Sequence, residues 1–240
     1  MSGHSKWSQI KRQKGIADVR RSGLFTKLSK AIAVAARDGK DASMNFRLRL
    51  AIEAAREANM PNENVERAIK RGAGELDGQA IEELTYEGYG PNGIALIIRA
   101  LTDNKNRTGS AIRTTLSRHD GNLGQAGSVL WMFALKGRLR FPREILTAES
   151  SDTLELAAID AGADDVSETD HGILITCDPS QTSAIQKKLT DQGFPNPIAA
   201  LELVATNEVP TDANTETKLE NLIEDLDNLD DVDAVFTNAA

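Results

Sequence analysis

Apolar residues begin to recur at helical spacing once the chain passes residue 21. Over 22–38, Leu24, Leu28, Ala31, Ile32 and Ala35 fall on one face, with Lys27, Lys30 and Arg37 roughly opposite and Gly39 as a stop. The spacing predicts a second helix over 44–58, with Ser43 as its N-cap and Leu48, Ala51, Ile52 and Ala55 facing inward. Asn59-Met60-Pro61 ends it. Asn62 is placed to cap a third, short helix that carries Val65 and Ile69 and stops at Gly72 and Gly74. These elements predict a three-helix bundle over 22–76.

The period then changes. Residues 85–93 (Thr85-Tyr86-Glu87-Gly88-Tyr89-Gly90-Pro91-Asn92-Gly93) are rich in turn formers, and 94–101 has the continuous apolar character of a buried strand. A helix over 107–119 and a strand over 129–135 follow. Residues 137–205 then give strand (138–141), helix (151–161), two strands (165–169 and 172–177), helix (181–192) and strand (198–205), the split-βαβ order of ferredoxin-like folds. After Val209-Pro210 come a helix over 217–227 and a strand over 232–237, a pair with no partners of its own.

The economical arrangement sends 211–240 back to complete the second domain. The expected fold class is therefore α+β: an N-terminal three-helix bundle followed by two α+β, ferredoxin-like domains, the third inserted into the second. The expected boundaries are a basic arm at 1–21, the bundle at 22–76, an α+β domain at 77–136 plus 211–240, and the inserted domain at 137–210.

Charge adds a direction to this order. The net charge of −8 averages two unlike ends. Residues 1–40 carry ten Lys or Arg against Asp18 and Asp38, while 143–240 carry four bases against twenty-two acids. A polyanion meets the head as attractive and the tail as repulsive, which points to a nucleic-acid partner with a preferred docking end. The candidate contacts are Lys6, Lys11, Arg12, Lys14, Arg20 and Arg21 along the arm, Lys27, Lys30 and Arg37 on the first helix, and Arg47 and Arg49 on the second. Several bases within reach of successive phosphates release counterions, so such binding depends on salt. Trp7, among these bases, can stack on an unpaired base or anchor the arm to the bundle.

Lys105 and Arg107 lie in the loop 102–109, which leaves a strand and opens a helix. Two readings apply there: a loop whose Asn and Thr side chains cap the helix, or a backbone contact to nucleic acid. The acidic C-terminal domains offer a surface to a protein partner, or simply a solvated face.

Catalytic chemistry finds little material. His4, His119, His171 and Cys177 have no metal-ligand spacing, and Ser117, His119 and Asp120 are too close in sequence to converge as a triad. A non-enzymatic protein without a cofactor or metal is expected. No apolar run approaches a membrane span, no secretory h-region opens the chain, and a single cysteine precludes an intramolecular disulfide, so a cytoplasmic location is expected.

The motifs Gly3-His4-Ser5-Lys6-Trp7, Phe25-Thr26-Lys27-Leu28, Asn45-Phe46-Arg47-Leu48-Arg49, Asn59-Met60-Pro61 and Arg67-Ala68-Ile69-Lys70 are similar to those of the YebC/PmpR family. So are Tyr86-Glu87-Gly88-Tyr89-Gly90-Pro91, Thr102-Asp103-Asn104, Asn106-Arg107-Thr108 and Gly127-Ser128-Val129. Asp38-Gly39-Lys40-Asp41-Ala42 departs from the family's Gly-Gly and Pro. The resemblance implies a three-domain, largely cytosolic, non-enzymatic protein and a DNA-binding transcriptional regulator. Relatives that include a mitochondrial activator of cytochrome oxidase synthesis imply the alternative, a translation factor at the ribosome. The sequence shows no trustworthy helix-turn-helix, so selectivity is expected from DNA shape or a protein partner.

Overall fold

Residues 31–36 are apolar without a break, and the helix that carries them is buried on two sides. The computed structural model describes residues 18–76, 79–146, 148–169 and 171–240, without the side chains of 18–21 and 148–150. In it α1 spans Asp18–Ala36, α2 Phe46–Glu57 and α3 Asn62–Gly72. Ile32, Ala35 and Ala36 join Leu48, Ala55, Met60, Val65 and Ala68 in the bundle core. Ala33 and Val34 turn the other way, onto Ile81 and Leu101. A helix with one apolar stripe would bury one side; the unbroken run buries two. Gly72 brings α3 close, since a Cβ there would stand 2.1 Å from the Ala33 carbonyl oxygen.

Capping differs in detail from the sequence pattern. Asn45, not Ser43, caps α2: its Oδ1 accepts from Leu48 N at 3.0 Å. Its Nδ2 donates to the Ala35 and Gly39 carbonyls at 2.7 and 2.8 Å, which ties the end of α1 to the start of α2. Ser43 is held instead by Asp41. Asn62 is the first residue of α3, where Pro61 takes the cap position without a side-chain bond.

The rest of the chain runs β1 (Glu82–Tyr89), β2 (Ala95–Thr102), α4 (Lys105–Arg118), β3 (Asn122–Leu123), β4 (Phe133–Pro142), α5 (Ala148–Ala161), β5 (Asp165–Thr169), β6 (Gly172–Cys177), α6 (Thr182–Asp191), β7 (Ile198–Ala205), α7 (Ala213–Asp227) and β8 (Val232–Thr237). It is a mixed α+β fold with two four-stranded antiparallel sheets, ordered β3-β1-β2-β8 and β5-β6-β4-β7. The described residues fall into two compact units, 132–208 in one and 18–131 with 209–239 in the other.

In the larger unit the C-terminal strand β8 pairs with β2, a strand buried along nearly its whole length. Ile112 and Leu116 of α4 and Leu219, Leu222, Ile223 and Leu226 of α7 complete the burial around this sheet. The stretch expected as turns, 85–93, is mostly strand β1. Gly88 lies within it opposite Leu96 and Leu123, and a Cβ there would meet the Asn122 carbonyl oxygen at 2.8 Å. The glycine admits a neighbouring strand rather than turning the chain.

The smaller unit has the βαββαβ order, with α5 and α6 on one face. Leu139 and Phe141 of β4 and Ile173, Ile175 and Cys177 of β6 pack against Leu154, Ala158, Ile185 and Leu189. The strands expected at 129–135 and 138–141 are one strand, β4, preceded by a short 3-10 turn at Leu130–Met132.

Candidate nucleic-acid interface

The bases that sequence density singles out divide into two groups. Lys6, Trp7, Lys11, Arg12 and Lys14 lie outside the described residues, as do the side chains of Arg20 and Arg21. The others point at their own chain. Lys27 Nζ donates to the Asp227 carbonyl at the end of α7. Lys30 Nζ reaches the Asp230 carbonyl at 3.0 Å and Asp231 Oδ1 at 2.6 Å. Arg37 donates to the Ile81 carbonyl at 3.2 Å, and Arg47 pairs with Glu83. Arg49 donates to the Ala42 carbonyl at 3.2 Å with its guanidinium 5.2 Å from the Phe46 ring centre. Lys105 pairs with Glu82 at 2.9 Å.

Arg107 and Lys30, distant in sequence, converge on one acid. Asp231 accepts from Lys30, from Arg107 Nη2 at 2.8 Å and from Thr108 Oγ1 at 2.7 Å, while its backbone carbonyl accepts from Leu101 N. Burial pushes its carboxyl up, but Lys30, Arg107 and Thr108 outweigh that and hold it down at about 2. Thr102 and Asn104 complete the loop: Asn104 Oδ1 accepts from Arg107 N at 3.0 Å and caps α4, and Thr102 Oγ1 accepts from Asn104 N at 2.9 Å. Asn and Thr side chains therefore serve as helix caps here, and both bases of the loop are turned to carboxylates.

Other bases stand free. The side chains of Arg56 and Arg67 on the bundle and of Arg113 and Arg118 on α4 make no hydrogen bond or ion pair within the described residues, Lys70 has only the nearby charge of Glu75, and all are exposed. The α4 segment carries no acid from 104 to 119, and its outer face presents Asn106, Ser110, Arg113, Thr114, Ser117 and Arg118. Acids from elsewhere approach one end of that face, where Arg118 shares a surface concavity with Asp120, Glu224 and Asp225, while the rest of it sets hydroxyl groups beside the Arg113 guanidinium. Base density along the chain does not single it out, because Arg113 and Arg118 stand out only when their acid-free segment is weighed with them.

A buried acid also escapes the sequence pattern. Glu87, on β1, accepts from the backbone N–H groups of Gly127, Val129 and Leu130 at 2.6, 2.7 and 2.8 Å. Burial pushes its carboxyl up, yet the three N–H donors prevail and hold it below the usual carboxylate range. The result is a fixed turn over 127–130 that leads directly to Trp131.

Cys177 is buried, and burial pushes its thiol up. His119 Nε2 lies 2.8 Å from Asp225 Oδ2 at the surface. Among the described residues no group of three His, Cys, Asp or Glu side chains could hold a metal ion, and no helix is long and apolar enough to cross a membrane.

Comparison with known proteins places this geometry. Residues 5–75 match the TACO1/YebC protein N-terminal domain, and 81–239 match the TACO1/YebC second and third domain. A "Probable transcriptional regulatory protein" of Chloroflexus aurantiacus is 49% identical over 240 residues, covering 99% of this chain and 95% of the relative. One of the same name from Treponema denticola is 45% identical over 239 residues, covering 99% and 96%. The crystal structure of a conserved hypothetical protein from Aquifex aeolicus superposes with a TM-score of 0.88 at 40% identity, covering 98% of this chain and 96% of that one. On family profile, full-length identity and fold alike, the chain belongs to the TACO1/YebC family.

Proposed function

We propose that this protein is a non-enzymatic, cytoplasmic nucleic-acid-binding regulator, a DNA-binding regulator of transcription. The observation that carries the reading is α4, whose own segment 104–119 contains no acid and whose exposed Arg113 and Arg118 make no ion pair, in a chain whose net charge is −8. A protein that is acidic overall and keeps one helix clear of acids has a surface suited to a polyanion. Arg56, Arg67 and Lys70 on the bundle and the basic arm 1–21 add to it. The relatives' name, probable transcriptional regulatory protein, supports the regulatory role.

In this reading the chain is a basic arm, a bundle, an α+β domain completed by its C-terminal segment, and an inserted ferredoxin-like domain. The pairing of β8 with β2 supports that return of the chain. The acids of the C-terminal regions are offered to a protein partner.

A second reading, a ribosome-associated translation factor on rRNA, uses the same bases. Exposed Trp131 favours it, because RNA offers unpaired bases. Sedimentation of the native protein from DNase-treated lysate on a sucrose gradient separates the two. The transcriptional reading expects the protein at the top of the gradient at both low and moderate salt. Co-migration with ribosomal particles, abolished as salt rises, overturns it in favour of the second.

A further inference from the structure

Trp131 is the single exposed aromatic side chain among the described residues, with 69% of its surface open to solvent. Its position is fixed. The indole Nε1–H donates to the Ser128 carbonyl at 3.1 Å, and the Tyr89 hydroxyl donates to the same oxygen at 3.4 Å. Below it, the Glu87 carboxylate holds the 127–130 backbone through three N–H donors, and Gly124 N donates to the Glu87 carbonyl at 2.8 Å. The indole is thus gripped by its edge, and that bond leaves the ring faces free to stack.

The surroundings select a partner. From 104 to 131 the chain has four bases against one acid, Asp120; Lys105 and Arg107 are turned to carboxylates, and Arg113 and Arg118 are left exposed. Leu130 and Leu135 are the exposed large apolar side chains nearest to it in sequence, short of the broad apolar core of a protein–protein interface. A ring held by its edge matches what a nucleobase needs: a flat apolar surface, already ordered before binding.

We infer that Trp131 is a stacking platform for an unpaired nucleobase, so that the protein engages single-stranded or locally unpaired nucleic acid. The inference rests on the nucleic-acid reading above and deepens it.

The test uses the full chain carrying Trp7→Phe, which leaves Trp131 as the only indole. Label anisotropy of a fluorescent oligothymidylate and of a fluorescent DNA duplex reports binding, and indole emission reports stacking. Binding of the single strand should quench the indole, and Trp131→Ala should weaken that binding by roughly 5- to 150-fold, the range for removal of one base–aromatic stack, with duplex affinity unchanged. Trp131→Phe should restore much of the affinity. Single-strand binding without quenching, and unaffected by Trp131→Ala, overturns the platform while leaving the phosphate-binding reading intact. Equal weakening of both oligonucleotides also overturns it and makes Trp131 a structural residue. Failure to bind either oligonucleotide overturns the parent reading and this inference together.

Discussion

Glu87 and Asp231 are both buried carboxylates, satisfied by different means: backbone N–H groups around Glu87, and Lys30, Arg107 and Thr108 around Asp231. Removing either charge leaves donors stranded. Asp231→Asn is expected to cost about 3 kcal/mol, the usual penalty for breaking a buried ion pair from one side, read as a lower midpoint in urea. The pH dependence follows from the same carboxyl. Its folded-state value of about 2 lies below the ordinary value near 3.9, so its stabilisation is complete above about pH 4 and is lost as pH falls toward 2. The wild-type protein should lose on the order of 2 kcal/mol across that window, and Asp231→Asn should lack that component. Glu87→Gln puts an amide against three N–H donors and should cost about 1–3 kcal/mol. In the Trp7→Phe background it should also lower the emission anisotropy of Trp131, and unchanged anisotropy would mean that Glu87 does not fix the turn.

At the scale of elements, α4 owes its start to Asn104 and its place to a buried face, with Ile112 and Leu116 fully covered. Asn104→Ala should cost about 1 kcal/mol by thermal melt, the usual value of a missing N-cap. Arg113→Gln with Arg118→Gln changes only exposed, unpaired side chains, so the melting temperature should stay within a degree or two while nucleic-acid affinity falls. Lys30 is different. It binds Asp230 and Asp231 near the end of the chain, so Lys30→Glu should destabilise the protein as well as alter its charge, and failure of that variant to bind would not identify a phosphate contact.

Most elements are legible in the sequence where the period is clean. The strands at 165–169, 172–177, 198–205 and 232–237 have the expected limits, and each expected helix is present within a few residues. Two failures have physical causes. Glycines and a proline hide β1, where Gly88 makes room for β3 rather than a turn. Lys136-Gly137 reads as a break but lies inside what is one strand, β4. The interface is less legible. The helical pattern shows that Lys27 and Lys30 share a polar face, but the groups opposite them, Asp227, Asp230 and Asp231, lie two hundred residues downstream. Amphipathic spacing separates buried from unburied faces; whether an unburied base meets water, phosphate or its own chain's carboxylate is a long-range matter.

For the whole molecule, the charge split between the chain's ends takes a narrower meaning. Several bases of the head and bundle bind the protein together, and those left for a polyanion stand on α3, at the end of α2 and along α4. The most direct measurement is affinity for duplex DNA as a function of salt, for the wild type and for Arg113→Gln with Arg118→Gln. Log affinity should fall linearly with log salt, and the double variant should reduce the slope by about 1.8, or roughly 0.9 for each phosphate no longer neutralised, at unchanged melting temperature. A flat salt response, or a slope identical in the two proteins, would contradict the account.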